Sequence, residues 1–546
     1  MSRYLARSVR ALARSGGLLT GGADGARVRV GSGTLFAKWP TVKGAGRRHD
    51  VIVVGAGGSG APLASRLAEG GARVLLLEAG PAEIPDENLD LASLAPAVPG
   101  HSLALEYSGF LTPSRHHTVV RGKVVGGSTA INAGYFRRPR SRDLDDWSTA
   151  SGDMRWSPAA TLPLWARIEA DREFGERPGH GANGAIPVTR ADVRHPVSAG
   201  LLAAGAASGL PADPDQNAEP EGRPGIGPTP TNTARGGRWS TARGYLNPPP
   251  PGVDLRGGHE VLQVHIDHHG RARSVTSRAD DRLAMHEADL VVLSAGAIAT
   301  PELLYRSGIG PARLLTADGL RIVHDSPVGA RLHDHPQVVL SFVVPSRVLA
   351  VPVDIPVGIS AHGSSGIDGG VGDLEILSML LPLGRMLGTE PGDENLSLLV
   401  SPLRSDSPGF LALGKRSRPQ LHFRYAETGA DRARLRAAVR LAAELLDSEA
   451  MQQLGARAVA PEVGSFDDND LDSWVRSHLS TALHSCGTTP MGVDPTTAVV
   501  DGRGAVHGVT GLYVADLGIL PTAPTSGPSA SAVLVGEVIA DALLSG

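Results

Sequence analysis

The chain has 546 residues and a formal net charge of −4, which excludes the basic footprint of a nucleic-acid-binding protein. Its single cysteine, Cys486, excludes a disulfide framework and a cysteine-ligated metal cluster, and no apolar run reaches the roughly 18 residues of a membrane span. A chain of this length buries a large core and is expected to divide into about two to four domains.

Residues 1 to 49 differ from the rest, with ten Lys/Arg against one acid, Asp24. Arg-rich and acid-poor describes a transit peptide, and it equally describes a disordered extension from an upstream start codon. The expectation is a disordered extension over residues 1–47. Arg47 and Arg48 run straight into a core strand with no apolar signal region, so this is no export signal.

The rest of the chain is organised around the stretch from Val51 to Gly80. Val51-Ile52-Val53-Val54 is a pure apolar run, the mark of a strand buried on both faces of a parallel sheet. Gly55, Gly57 and Gly60 come next in G-x-G-x-x-G spacing. The first permits a tight turn, the second lets backbone approach a pyrophosphate, and the third lets the next helix pack closely. That helix, from about Ala61 to Glu69, aims free N–H groups at the phosphates. A second apolar strand, Arg73 to Leu77, ends at Glu78. An acid about 20 positions past the turn accepts hydrogen bonds from the adenosine ribose. The unit predicts a dinucleotide site and does not choose between NAD and FAD.

From Pro81 to Val120 the sequence looks loop-rich. Then Gly122 to Asn132, GKVVGGSTAIN, packs small residues densely enough to let backbone press on a flat ligand. Residues 151 to 250 show little periodicity apart from a helical turn at Ser240–Leu246. Strands are expected near Val261–Ile266 and Ala288–Leu293. A helix from Gly296 carries Pro301 in its first turn and stops at Gly308. His333 and His335 before Pro336 offer a metal-type pair without a third ligand nearby, so no metal is expected. Val338–Val344, Leu374–Leu381, Leu396–Val400 and Gln420–Tyr425 suggest a second sheet. Asp431 to Leu454 reads as one long amphipathic helix. The chain ends with a strand at Gly511–Ala515, then Asp516, a Pro/Ser/Gly loop and a terminal helix.

Four separated motifs together resemble the glucose–methanol–choline (GMC) flavoprotein oxidoreductases. Gly122 to Asp145 matches the family's first signature and Gly296 to Gly310 its second. Val328-Gly329 with Asp334-His335-Pro336, and Val499 to Asp516, resemble two further segments. The resemblance implies an α/β fold: a Rossmann-like FAD-binding domain (48–335, with insertions), a mixed-sheet substrate domain (336–483), and a catalytic segment (484–546) returning to the first. It implies FAD rather than NAD. Gly55, Gly57, Gly60 and Glu78 would hold its ADP half. Gly126, Gly127, Ser128 and Asn132 would line the pyrophosphate and the ring. Val261 would contact adenine through its backbone, and Asp516 the flavin end. In some members a histidine before the asparagine bonds covalently to FAD; Ile131 stands there, so the cofactor is expected to be non-covalent.

The resemblance further implies oxidation of an alcohol CH–OH group, with hydride passing to flavin N5 and the hydroxyl proton to a histidine. His484 matches the catalytic histidine, with His478 a rival six residues earlier. The family's second catalytic group, His or Asn, aligns with Ser529, or with Ser526 or Ser531 if the register shifts. Gly134-Tyr135-Phe136, Leu483 to Thr488 and the closing SGPSAS look most like the mycofactocin-associated branch. That implies a dehydrogenase reoxidising reduced mycofactocin and passing electrons to a non-oxygen acceptor, possibly the respiratory chain, in the cytoplasm or peripherally at the membrane. The alternatives are a dehydrogenase or oxidase of a small alcohol such as choline, a flavin-binding electron relay with lost turnover, and a lyase of the same fold.

Overall fold

A computed structural model describes residues 49–545, except 86–89, 219–222, 235 and 391. The basic stretch 1–47 lies outside the described residues. Two seven-stranded sheets carry the fold. The first begins with His49–Val54, whose apolar side chains are buried as the run predicts. It pairs in parallel with Val74–Leu77 on one side and with Arg282–Leu293 on the other. Val253–Arg256 extends the parallel array beyond Val74–Leu77, and Leu512–Val514 pairs with Arg282–Leu293. Glu260–Ile266 and Ala272–Ala279 complete the sheet as an antiparallel meander on the front of the same long strand.

The parallel register sets Leu77, Val54 and Leu293 side by side. The chain therefore leaves three strands at one edge, through Glu78, Gly55 and Ser294. In open α/β sheets that carboxyl edge is where a ligand binds. The helix Gly60–Glu69 covers the sheet and buries eight of its ten residues. The C-terminal helix Ser529–Leu544 packs against it so tightly that a Cβ on Gly536 would lie 2.3 Å from the Ser59 carbonyl oxygen. Buried Glu537 ties the two helices, meeting Arg66 Nε at 3.0 Å and the Tyr245 hydroxyl at 2.9 Å.

The second sheet is antiparallel, in the order Arg457–Ala458, Pro336–Val343, Leu396–Pro402, Leu374–Met379, Val357–Gly363, Gly225–Pro228. The last strand comes from within the stretch expected to build the FAD-binding part. Ser480–Thr481 pairs with the start of Pro336–Val343, at Gln337 and Pro336. The helix Gly429–Leu446 covers this sheet, and each sheet has its own apolar core.

Several local expectations are corrected. The loop-rich stretch contains a hairpin, Ala104–Thr112 with Arg115–Gly122, joined in parallel by Gln420–His422, which thus leaves the second sheet for a separate four-stranded one. The long helix ends at Leu446 and restarts at Glu449, because Ser448 accepts from Met451 N and caps a new first turn. Pro301 sits inside the helix Gly296–Arg306 rather than in its first turn. A proline there leaves the carbonyl four residues back without its donor. The Thr488 hydroxyl supplies one, donating to the Ala297 oxygen at 2.6 Å.

Candidate active site

The three exits from the parallel sheet line one cleft, together with Gly57, Lys123, Gly127 and Val261. Gly55 takes a φ of +99°, and a Cβ there would lie 2.5 Å from the Ser294 carbonyl oxygen. A Cβ on Gly60 would lie 1.9 Å from the Gly55 carbonyl oxygen, so the helix can start beneath the turn only with glycine. Gly57 is different: a Cβ there meets nothing nearer than the Gly127 Cα at 3.8 Å. The space beside Gly57 belongs to the cleft, as close backbone approach to a pyrophosphate requires.

The second small-residue loop closes on the first. Gly126 and Gly127 are left-handed, with φ of 89° and 54°. Gly126 backs onto Ser240, while the Thr241 hydroxyl donates to the Gly57 oxygen at 3.2 Å. The Ser128 hydroxyl accepts from Gly122 N at 3.2 Å. Glu78 is buried, and burial raises its carboxyl above the usual range. One carboxyl oxygen accepts from Ala56 N at 3.0 Å and the other from Gly80 N at 2.8 Å. Each retains a lone-pair direction for a ribose hydroxyl. The cleft fits a dinucleotide cofactor on these grounds.

Asp516 stands apart from the residues lining this cleft. It is 3% exposed, and its oxygens accept from Gly296 N at 3.0 Å, Thr300 Oγ1 at 2.6 Å and Gly518 N at 2.8 Å. Burial raises it to about 6. It joins the start of the helix Gly296–Arg306 to the Leu517–Ile519 turn.

From Gly127 a short helical turn runs to Ala130, and Asn132 lies just beyond it. Asn132 Nδ2 lies 3.5 Å from the Ser529 hydroxyl, at the first residue of the C-terminal helix. Ser526 and Ser531, the shifted alternatives, are fully buried, while Ser529 is half-buried. Two residues before Ser529, a Cβ on Gly527 would lie 2.5 Å from the Tyr135 ring and 3.6 Å from His484 Cε1. Asn132, Ser529, Gly527, Tyr135 and His484 therefore form one continuous wall beyond the cleft. His478 does not join it. It ends the helix Asp468–His478, exposed and stacked on Trp474.

His484 is held by a buried carboxylate. Asp334 Oδ1 accepts from His484 N at 2.9 Å and from His335 N at 2.7 Å, and Oδ2 accepts from the Ser485 hydroxyl at 2.7 Å. Arg121 donates to that same hydroxyl at 2.9 Å. Leu483, directly before His484, has a φ of +62°, a left-handed conformation costing a non-glycine residue about 1–2 kcal/mol. The ring itself meets another: His335 Nδ1 lies 2.8 Å from His484 Nδ1, with the rings edge-on. Burial, then His335 and Arg121, push His484 well below its ordinary 6.5, so it is neutral. His335 is pushed down to about 4 by burial and by His333. Sequence reasoning passed over this partnership, because the rings come from positions 149 apart.

A second buried group backs the wall. The Tyr135 hydroxyl donates to Glu375 Oε2 at 2.5 Å, and His362 Nε2 lies 3.2 Å from the same oxygen. Arg137 reaches the same His362 nitrogen. Glu169, Asp171 and His180 also bring three ligand-type atoms together, but Arg138 and Arg190 already pair with the two carboxylates.

A dinucleotide cradle on a parallel sheet, with a paired histidine held close to the start of an antiparallel sheet, is an arrangement suited to an oxidoreductase. Similarity to known proteins gives the family. The GMC oxidoreductase family matches at residues 30–337 with its N-terminal part and at 405–536 with its C-terminal part, and the chain belongs to that family. A GMC-type oxidoreductase of uncharacterized role from Rhodococcus erythropolis is 36% identical, over 89% of this chain and 97% of the relative. The oxygen-dependent choline dehydrogenase of Escherichia coli K12 is 33% identical, over 90% of this chain and 95% of its own. Among solved structures, pyridoxine 4-oxidase from Mesorbium loti shares 27% identity at a TM-score of 0.80, covering 90% of this chain and 98% of the other. A formate oxidase from Aspergillus oryzae RIB40 superposes with a TM-score of 0.83 over 91% of this chain and 98% of its own; at 22% identity it speaks to the fold alone.

Proposed function

We propose that the protein is an FAD-dependent alcohol dehydrogenase in which His484 takes the hydroxyl proton. The observation that carries this reading is the neutral, half-buried imidazole of His484 beside Gly527 and the Asn132–Ser529 pair. When bound, FAD supplies the hydride acceptor. The chain's own residues do the rest. Gly57 and Gly127 would press backbone on the cofactor and Glu78 would receive ribose hydroxyls, while Val261 borders the cleft. Tyr135, tied to Glu375, borders the space beside Gly527 and His484. His484 accepts the proton as the carbinol loses its hydride, and a carbonyl compound leaves; a positioned base of this kind contributes about 10²–10⁴ in rate. Ile131 places no nucleophile before Asn132, so the cofactor is held non-covalently.

For the substrate, the preferred reading is reduced mycofactocin, with electrons leaving to a non-oxygen acceptor. Its support is the Gly134-Tyr135-Phe136 run and the SGPSAS ending around Ser529. The second reading is a small alcohol such as choline, favoured by the likeness to a choline dehydrogenase. Anaerobic mixing of the flavin-loaded protein with reduced mycofactocin and with choline separates them by which one bleaches the flavin. Bleaching by neither removes the alcohol-oxidising reading and leaves an electron relay or a lyase.

A further inference from the structure

We infer that Arg418 is a cofactor-binding residue: its guanidinium closes the cofactor cleft by stacking on the adenine of FAD. The inference rests on the reading of the cleft as an FAD site.

The four-stranded sheet walls this cleft. Leu105, Tyr107 and Gly122 of its hairpin line the space, and Arg418 lines it with them. Arg418 belongs to residues 413–419, which link Phe410–Ala412 to Gln420–His422. The link is pinned at both ends. Lys415 N donates to Asp318 Oδ2 at 2.7 Å, an oxygen that also accepts from the Tyr305 hydroxyl at 2.9 Å. Pro419 is buried, and Gln420 pairs with Ser108. That register brings Arg418 alongside Tyr107, and its guanidinium lies over the tyrosine ring, 5.8 Å from the centroid.

No anion of the protein accounts for this placement. Of the carboxylates lining the cleft, Glu302 pairs with Arg306, Glu260 lies 2.5 Å from Arg278, and Glu78 accepts from backbone N–H groups. Among the described residues, Arg418 forms no ion pair and donates no hydrogen bond. A guanidinium is planar, weakly hydrated and stacks on aromatic faces. One face of Arg418 is spent on Tyr107. The residue is otherwise exposed, which leaves the second face for another flat ring.

In this part of the cleft that ring is adenine rather than the flavin. Asn132, Gly527 and His484, in the wall assigned to alcohol oxidation, do not line the space that Arg418 shares with Val261. Nor is the position that of the pyrophosphate. Gly55 packs on Ser294 and Ala295, at the start of the helix Gly296–Arg306. Burial raises the carboxyl of Glu302, in the second half of that helix, and Arg306 and then Arg418 lower it again. Arg418 therefore stands beside the end of the helix remote from the glycine turn.

The test uses flavin-loaded full-length protein, diluted so that flavin release is read as a rise in fluorescence, with melting at saturating FAD as a control. Arg418→Ala should bind FAD about tenfold more weakly and release it correspondingly faster, while melting as the parent does. Arg418→Lys keeps the charge without the plane, and should recover less than about threefold of that loss. Parent-like FAD affinity in Arg418→Ala overturns the inference. Full recovery by Arg418→Lys overturns it too, by making the contact one of charge with the phosphates. A lowered melting temperature at saturating FAD would make Arg418 a structural residue and overturn it as well. A parent protein that takes up no FAD would instead remove the reading of the cleft itself.

Discussion

Gly127 and Gly57 meet backbone to backbone in the lining of the cofactor cleft, and a Cβ on Gly127 would lie 2.9 Å from the Gly57 Cα. The three glycines of the motif are consequently not equivalent. Gly57→Ala has room in the protein and puts its methyl into the cleft, so the variant should fold normally and lose most of its flavin. Gly60→Ala would press on the Gly55 carbonyl and should destabilise the apoprotein by about 1–3 kcal/mol, the range for overpacking. Flavin content and thermal unfolding of both variants check this. A fully loaded Gly57→Ala protein would show that the cofactor runs elsewhere.

His484→Ala should keep its flavin, since no cleft-lining group is touched, and reduce it at least about 10²-fold more slowly with alcohol. Stopped-flow bleaching measures the step directly. An unchanged rate would transfer the role to another residue.

The pH dependence comes from the lowered pKa of His484. A depressed value keeps the imidazole neutral, and able to accept a proton, below its ordinary 6.5. The charged groups nearest it are Arg121, which lowers it further, and Asp334, bound to its backbone; His335 stays uncharged. The acid limb of the bleaching rate should therefore fall below pH 6.5, activity declining only as pH drops through the folded value. A midpoint above that value would mean that a raised group controls the step.

On the proposed alignment Ser529 replaces the family's histidine or asparagine, and its hydroxyl lies 3.5 Å from Asn132 Nδ2. A serine supplies no positive charge for developing superoxide, whereas a protonated histidine can. Alcohol plus air should yield little peroxide, while a dye or quinone sustains turnover. Ser529→His should raise activity or oxygen reactivity. Rapid peroxide release by the parent would refute the dehydrogenase reading, and an inert Ser529→His variant would place the second catalytic group elsewhere.

Acid precipitation should release the flavin into solution, because Ile131 offers no atom for a covalent bond. Yellow colour retained in the pellet would point to an attachment through another residue.

The cradle was legible because its constraints are local. An apolar run such as Val51–Val54 has one plausible environment, and Gly55 and Gly60 answer backbone demands a few residues away. His484 was proposed from family resemblance alone. His335, though in view, looked like half of a metal pair, since nothing near it in the chain shows that its partner is another ring. The hairpin at Ala104–Gly122 was missed because Gly109 takes a position where an apolar side chain would have strengthened the strand pattern. Glu375 escaped notice, and Asp334 was in view only as part of a family-like segment, because a buried acid is recognised by its donors and these come from distant segments.

The docking of Ser529–Leu544 on the helix Gly60–Glu69 has a consequence for biosynthesis. The helix Gly60–Glu69 is closed over by one made far later, and Leu512–Val514 joins a sheet whose strand His49–Val54 left the ribosome long before. Glu537 then reaches back to Arg66. A nascent chain can form the turn at Gly55 early, but the wall that carries Gly527 and Ser529 exists only once those distant residues have been made. Truncation before Ser529 should therefore yield protein that never acquires colour, however much of the cradle it contains.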